Sequence, residues 1–358
     1  MAAKKTIALV GATGIAGQQF VAALAGHPWF DITRMVGSER SAHKRYGDAL
    51  RDPKTGARRW WCEVEPPASL LDLEVEDSST FEADGVDLVF SAVEADVATE
   101  LEPRYARKAP VVSTASAFRY EDDVPILVPG VNWDHARLLD LQRERRGWRG
   151  YITPIPNCTT TGLVIALKPL HDAFGVKKVL LTSMQGISGA GRSPGVVALD
   201  ILDNIVPFIP KEEEKVARET RKIFATLGEG GLRDAEIVVS ATCTRAAVIE
   251  GHTESVSVSL DKPATPQAVA DAMRAFDAGS DLPSAPRRWI VVHEDPFRPQ
   301  PRLDRDAEAG MATSVGRIRP EPAFDNGVKF LLVSHNTKMG AAKGAVLVAE
   351  HLYRRGLV

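Results

Sequence analysis

The chain has 358 residues, with 44 basic and 47 acidic side chains and a formal net charge of −3. That length suits two domains at about 150 residues each, and 44% hydrophobic against 25% charged residues is ordinary for a globular chain and excludes wholesale disorder. Charge this near balance leaves no electrostatic reason to expect nucleic acid or a membrane surface as partner. Three cysteines, Cys62, Cys158 and Cys243, make neither a disulfide framework nor a C-x-x-C zinc pair. No metal site is therefore expected, and a reducing cytoplasm is the expected home. The N-terminus lacks the apolar core of a signal peptide, and no stretch reaches the roughly 18 apolar residues of a membrane span.

Taken in order, residues 6–10 (TIALV) read as a buried strand, followed at once by Gly11-Ala12-Thr13-Gly14-Ile15-Ala16-Gly17 and a helical segment 18–24. Further strands are expected over 32–36, 86–91 and 111–113. Continuous apolar strands alternating with helices imply a parallel sheet covered on both faces. The character changes near residue 150. Segments 176–184, 237–243 and 254–260 are longer and more β-like, and Ser255 to Leu260 alternates polar with apolar, as in an antiparallel sheet with one wet face. Thr265-Pro266 is a helix start, with Thr as N-cap and Pro at the first position. Strands are expected at 289–293 and 328–333 and a final helix at 339–353. Residues 295–327, with five prolines and many charges, read as an extended arm. The fold expected is α/β. A Rossmann-type dinucleotide-binding domain spans 1–150, an α+β catalytic and dimerisation domain with a mixed sheet spans 151–335, and 336–358 form a helix returning to the first domain.

Glycines at 11, 14 and 17 directly after a strand let a phosphate approach the backbone, where a helix N-terminus offers amide donors and a favourable dipole. The alternative is a tight turn with no ligand. After the second strand the acidic ribose ligand of NAD sites is missing from the strand tip. Ser38, Arg40 and Ser41 stand there instead, with Lys44 and Arg45 behind, and an arginine so placed can take the 2′-phosphate of NADP. Glu39 could hold a bare ribose. Asn157-Cys158-Thr159-Thr160-Thr161 leads into an apolar helix. A cysteine at a helix N-terminus is biased toward thiolate and suits acyl or aldehyde chemistry, whereas Cys62 and Cys243 read as inert. Gln185-Gly186-Ile187-Ser188-Gly189-Ala190-Gly191-Arg192 is a glycine-rich loop at a strand end, a natural place for a polar side chain to meet a ligand. Arg245 suits a carboxylate and His252 proton transfer, although either residue alone is more often structural.

These motifs, in this order, resemble the aspartate-β-semialdehyde dehydrogenases, particularly the archaeal and fungal branch, over nearly the whole chain. Ser193-Pro194-Gly195, Asp203-Asn204-Ile205-Val206-Pro207, residues 299–305 (PQPRLDR), residues 315–319 (VGRIR) and residues 334–337 (SHNT) belong to the likeness. The resemblance implies Cys158 as nucleophile, His252 as acid/base and Gln185 orienting the substrate. Arg245 would clamp the α-carboxylate and Glu212 meet the α-ammonium group. Arg119 would bind phosphate, assisted by Asn157 and Lys215. Gly11, Thr13, Gly14, Ile15, Gly17, Ser38, Arg40, Ser41, Ser188, Gly189, Asn336 and Gly340 would line the NADP site. The chain departs from the family pattern at Ala246-Ala247, at Phe118 where a histidine is usual, and at Lys343 where a glycine is usual.

The implied reaction is NADP-dependent reduction of L-aspartyl-4-phosphate to L-aspartate 4-semialdehyde through a cysteine thioester, on the route from aspartate to lysine, threonine and methionine. The runner-up is a malonyl-CoA or related acyl-CoA reductase on the same scaffold, with N-acetylglutamyl-phosphate reduction a further rival. A non-catalytic NADP-binding protein has no need of Cys158, Gln185, Arg245 and His252 together. A homodimer or homotetramer is expected from the β-rich second domain.

Overall fold

In a computed structural model, residues 3–191, 196–228, 231–279 and 281–358 are described. Strands β1 (Lys5–Val10), β2 (Phe30–Gly37), β3 (Val75–Asp77), β4 (Leu88–Ser91), β5 (Val111–Ser113) and β6 (Ile152–Pro154) form one sheet in the order β3-β2-β1-β4-β5-β6, every pair parallel. Ile7, Ala8, Leu9 and Val10 are all fully buried, so β1 is apolar on both faces, as a central parallel strand must be. Helix Ile15–Leu24 follows the glycine turn and buries Phe20, Val21 and Leu24, with the Phe20 ring 4.8 Å from that of Phe90 on β4. This is the Rossmann-type half expected from the sequence.

The remaining strands are β7 (Val176–Gln185), β8 (Ile205–Val206), β9 (Thr226–Gly228), β10 (Gly231–Arg233), β11 (Val238–Ala246), β12 (His252–Leu260), β13 (Ile290–His293), β14 (Thr313–Pro320) and β15 (Gly327–Ser334). All but the β9–β10 hairpin join a mixed seven-stranded sheet in the order β13-β14-β15-β12-β7-β11-β8. In it β7 pairs parallel with β11 and antiparallel with β12. Thr265 caps the helix Pro266–Ala275 as anticipated, its Oγ1 accepting from the Ala268 amide at 3.1 Å.

The extended arm expected over 295–327 is corrected. The segment contains the short helix Pro301–Asp304 and the whole of β14, which pairs with β13 and β15. The small buried run Thr313-Ser314-Val315-Gly316 makes the strand, and the prolines and charges around it disguised the pattern. Gly316 lies so close to the Arg298 carbonyl that a Cβ would stand 2.4 Å from its oxygen.

Two compact units are present. The first is Met1–Pro125, His135–Ile155 and Ala345–Val358; the second is Ile126–Asp134 and Pro156–Gly344. The first therefore extends past residue 150, because β6 pairs with β5, and the second takes in a short piece of chain from before that point. Phe118, one of the departures from the family pattern, packs in the first unit's core with Phe81, Tyr105 and Val124.

The glycine turn separates into two kinds of position. Gly11 has φ +80, and a Cβ there would stand 2.4 Å from the Ala92 carbonyl oxygen; a Cβ on Gly17 would stand 2.2 Å from the Gly11 oxygen. Gly14 (φ −73) meets only that same oxygen, at 3.5 Å. Gly17→Ala is expected to cost about 1–3 kcal/mol through forced backbone displacement, whereas Gly14→Ala leaves stability nearly unchanged. Urea unfolding of the two variants checks this, and equal midpoints would contradict it.

Candidate active site

The Cys158–Phe174 helix begins where it does because Asn157 (φ −55, ψ 145) caps it. Its Oδ1 accepts from the amides of Thr159 at 2.9 Å and Thr160 at 3.4 Å, and its carbonyl accepts from Thr161 Oγ1 at 3.0 Å. Cys158 is thus the first helical residue, at the positive end of the dipole. The Asn157 side chain, expected beside phosphate, is committed to this cap and to Glu212, whose Oε2 accepts from Nδ2 at 2.8 Å. The main-chain amide of Asn157 donates to Glu219 Oε2 at 2.6 Å. Glu219, fully buried, was not anticipated. The signal was present in its spacing, two helical turns after Glu212 on the same face of the Glu212–Ile223 helix.

Strand register supplies the rest. Arg245 on β11 is paired with Gln185 on β7, and β12 starts at His252 at the same end of the sheet. His252 Nε2 lies 3.1 Å from Cys158 Sγ. The Gly186 amide donates to His252 Nδ1 at 3.1 Å, and the Gly186 carbonyl accepts from Arg245 Nη1 at 2.8 Å. His252 is fully buried. Burial, then the charge of Arg245, then His335, push its pKa down to about 3, so the ring is neutral at ordinary pH. Arg245 is also buried, and burial lowers its pKa as well. Among the described residues no carboxylate reaches it within ion-pair distance.

Gln185 Nε2 donates to Ser183 Oγ at 3.2 Å and to Glu212 Oε2 at 3.5 Å, while Glu212 Oε1 accepts from Lys215 Nζ at 3.0 Å. Glu212 is buried inside this network. Gly189 lines the same place, since a Cβ on it would stand 3.1 Å from Arg245 Nη1 and 3.4 Å from His252 Cε1. Asn336 joins two loops. Its Oδ1 accepts from the Gly251 amide and its Nδ2 donates to Ser188 Oγ, both at 2.8 Å. Gly340 abuts the Cys158 side chain, with no room for a Cβ between Asn336 O (2.8 Å) and Cys158 Cβ (2.9 Å). Arg192 and Ser193-Pro194-Gly195 lie outside the described residues. Cys243 is buried, its thiol pushed up to about 11 chiefly by burial, which suits the inert role expected of it.

In the first unit Arg119 is buried, donating Nε to the Ile155 carbonyl at 2.9 Å and an Nη to Thr114 O at 3.0 Å. Near it Glu102, pushed up to about 7 chiefly by burial, accepts from Ser113 Oγ at 2.5 Å. The glycine turn fits a dinucleotide. Helix Ile15–Leu24 has no side-chain cap and no acidic residue in its first turn, and the outward side of Gly14 is open. Thr13 and Ile15 are half-buried beside it. Arg40 is exposed, and its guanidinium makes no hydrogen bond or ion pair among the described residues. Ser41, by contrast, is buried and donates Oγ to Ser38 O at 3.0 Å, shaping the turn. Among the described residues no helix is long and apolar enough to cross a membrane.

Two family models match the chain. One is described as semialdehyde dehydrogenase, NAD binding domain, over residues 6–139; the other as semialdehyde dehydrogenase, dimerisation domain, over residues 167–339. The aspartate-semialdehyde dehydrogenase of Methanothermobacter thermautotrophicus is 43% identical over 96% of this chain and 97% of its own. That of Saccharomyces cerevisiae is 41% identical over the full length of both. The crystal structure of the Candida albicans enzyme with NADP aligns with a TM-score of 0.88 at 37% identity, covering 99% of this chain and 100% of that one. A Vibrio cholerae aspartate semialdehyde dehydrogenase II complexed with ASA aligns at 0.76 and 26% identity, covering 99% of each chain.

One buried group beside this cluster has no evident use. Glu254, two residues along β12 from His252 and paired with Ser183, is fully buried, and neither carboxyl oxygen has a hydrogen-bond partner among the described residues. Burial raises its pKa well above the ordinary carboxylate value. The native state then keeps a proton that the unfolded chain releases, so the group lowers stability as pH rises above the unfolded value. Glu254→Gln should remove that slope, gaining on the wild type by up to about 1.4 kcal/mol per pH unit. Urea unfolding at pH 5 and pH 8 reads it, and parallel curves for the two proteins would contradict a protonated Glu254.

Proposed function

The chain belongs to the aspartate-semialdehyde dehydrogenase family, and from that premise we propose that it interconverts L-aspartyl-4-phosphate and L-aspartate 4-semialdehyde with NADP, through a thioester on Cys158. The reaction serves the route from aspartate to lysine, threonine and methionine. The observation that carries this reading is the meeting of three features in one place. Cys158 Sγ lies at a helix start, a neutral His252 stands 3.1 Å away, and a buried arginine has no carboxylate partner among the described residues.

In the reductive direction the Cys158 thiolate attacks the β-carbonyl carbon and the carbon–oxygen bond to phosphate breaks, its electron pair leaving with phosphate. The thioester is a better hydride acceptor than a carboxylate. Bound nicotinamide supplies the hydride to that carbon. The carbon–sulfur bond then breaks, giving the aldehyde and restoring the thiolate. Arg245 suits the substrate's α-carboxylate because a buried, unpaired guanidinium is costly until an anion arrives. Glu212, with Lys215 and Asn157 on its two oxygens, is available to the α-ammonium group. Gln185 orients the reacting carboxyl. Arg119 and Lys215 serve the phosphate. Gly11, Gly14 and the following amides hold the pyrophosphate, Arg40 the 2′-phosphate, and Ser188, Gly189, Asn336 and Gly340 the nicotinamide end.

The acyl-CoA reductase reading is not favoured, since the relatives over the full length are named for aspartate semialdehyde. Self-association is supported by apolar groups left open on the second unit: Leu180 and Val238 on neighbouring strands, with Val197, Leu199, Leu202, Ile205 and Phe208 on the segment that follows the glycine loop. A dimer or tetramer would cover them. A sparse, odd set of three cysteines suits a reducing cytoplasm.

Formation of NADPH from L-aspartate semialdehyde, NADP and inorganic phosphate is the test. Turnover should require phosphate, should not be rescued by CoA, and should vanish in Cys158→Ser. Arg245→Lys keeps the charge but loses the fork and should raise KM for the semialdehyde about 10- to 100-fold. Full activity in the serine variant, or an unchanged KM in the lysine variant, would contradict the assignments.

A further inference from the structure

We propose that Glu102 is a positioning residue for Arg119: through the Ser113 hydroxyl it fixes the peptide plane between Thr114 and Ala115, whose carbonyl holds the guanidinium, and thereby sets the affinity for phosphate. The consequence for affinity rests on the reading of Arg119 as a phosphate ligand; the positioning itself does not.

Glu102 is a carboxyl where packing calls for a hydrocarbon. It lies in the helix Ala95–Ala106 with Ala98, Leu101, Tyr105 and Ala106, all buried, and is itself only 1% exposed. An apolar side chain would cover the sheet there without the cost of desolvating a carboxyl. Burial pushes the group up to about 7, against the pull of the Ser113 hydroxyl and of the Arg119 charge.

What the carboxyl holds is the turn that carries Arg119. Ser113 ends β5, paired with Ser91 at the end of β4. This is the C-terminal edge of the parallel sheet, where open α/β sheets bind their ligands. Ser113 Oγ donates to Glu102 Oε1 at 2.5 Å and accepts from the Ala115 amide at 3.0 Å. With its proton committed to the carboxyl, the hydroxyl keeps a lone pair turned to that amide. The Ala115 N–H and the Thr114 C=O belong to one planar peptide unit and point in opposite directions. Holding the N–H therefore aims the C=O, and the Thr114 carbonyl accepts from Arg119 Nη2 at 3.0 Å. The Ile155 carbonyl accepts from Arg119 Nε at 2.9 Å, and the Ile155 amide donates to the Ser113 carbonyl, also at 2.9 Å. Both carbonyls that hold the guanidinium are thus tied back to Ser113, and two anchors on a planar fork define its orientation. All of these residues belong to the first compact unit. Without the Glu102 acceptor the hydroxyl is released and the 114–115 peptide loses the hold on its N–H. The effect falls on the ligand of Arg119 and not on the chemistry at sulfur.

Three variants of the intact protein test this. Glu102→Gln keeps an acceptor for the Ser113 hydroxyl without the charge, and Glu102→Met fills similar space without the acceptor. Ser113→Ala removes the relay with a smaller change in volume, so the test does not depend on the methionine variant folding. In phosphate-dependent oxidation of the semialdehyde, the methionine and alanine variants should raise KM for inorganic phosphate about tenfold, leaving kcat and KM for the semialdehyde within about twofold, while the glutamine variant stays close to wild type. Losses spread equally over kcat and both KM values, or a glutamine variant as impaired as the methionine one, would overturn the proposal. Nitrogen-15 NMR of the Arg119 Nε–H, assigned by its disappearance in Arg119→Lys, reads the positioning without turnover. Its shift and slow exchange should persist in Glu102→Gln and be lost in the other two; an unchanged signal in all three would overturn the proposal. A wild-type KM for phosphate in Arg119→Lys would instead sink the phosphate reading of Arg119, and with it the effect on affinity, and leave the positioning to the NMR result.

Discussion

Strand β7 lies between β11 and β12, parallel to the first and antiparallel to the second, and that arrangement brings the C-terminal ends of β7 and β11 and the start of β12 to one end of the sheet. Gln185, Arg245 and His252 stand there. The chain turns out of β7 at Gly186, whose amide goes to His252 and whose carbonyl goes to Arg245. A one-residue slip would reverse which face each side chain occupies and would scatter the three. The Cys158 helix then needs only its Asn157 cap to bring sulfur within reach.

The charge inventory around the sulfur is what this register produces. Among the described residues no carboxylate reaches the buried Arg245 within ion-pair distance, His252 is neutral, and burial pushes the Glu254 carboxyl and the Cys243 thiol toward their protonated forms. Glu212, which bears on Arg245, is already met by Lys215, Asn157 and Gln185. The balance favours an incoming anion and a thiolate, which is what a nucleophile for acidic substrates requires. It also makes a second positive charge on the imidazole unfavourable.

Much of this was legible in the sequence. Asn157 before Cys158 and three threonines reads as a capped helix start, and the glycine turn after residues 6–10 reads as a nucleotide fold, because both depend on local backbone chemistry. The partner of Cys158 did not follow from residue types, since only strand register brings Cys158 and His252, 94 positions apart, together. The resemblance supplied that pairing. Nor did the sequence disclose that the Asn157 side chain is spent on capping, that Ser41 is turned into its own loop, or that Glu102, Glu219 and Glu254 are buried. Carboxylates read as surface residues unless their partners are known. The strand β14 was hidden because prolines and charges flank a run of small side chains.

The central claim is that acyl transfer passes through the Cys158 sulfur. The most direct measurement is to mix the protein with the aspartyl phosphate, or an acyl-phosphate analogue, without reductant, quench in acid and map the added mass by peptide mass spectrometry. A single acyl group on the peptide carrying Cys158, released by hydroxylamine and missing from the peptides of Cys62 and Cys243, is the expected result. Unmodified Cys158 under conditions that support turnover once NADPH is added would contradict the account.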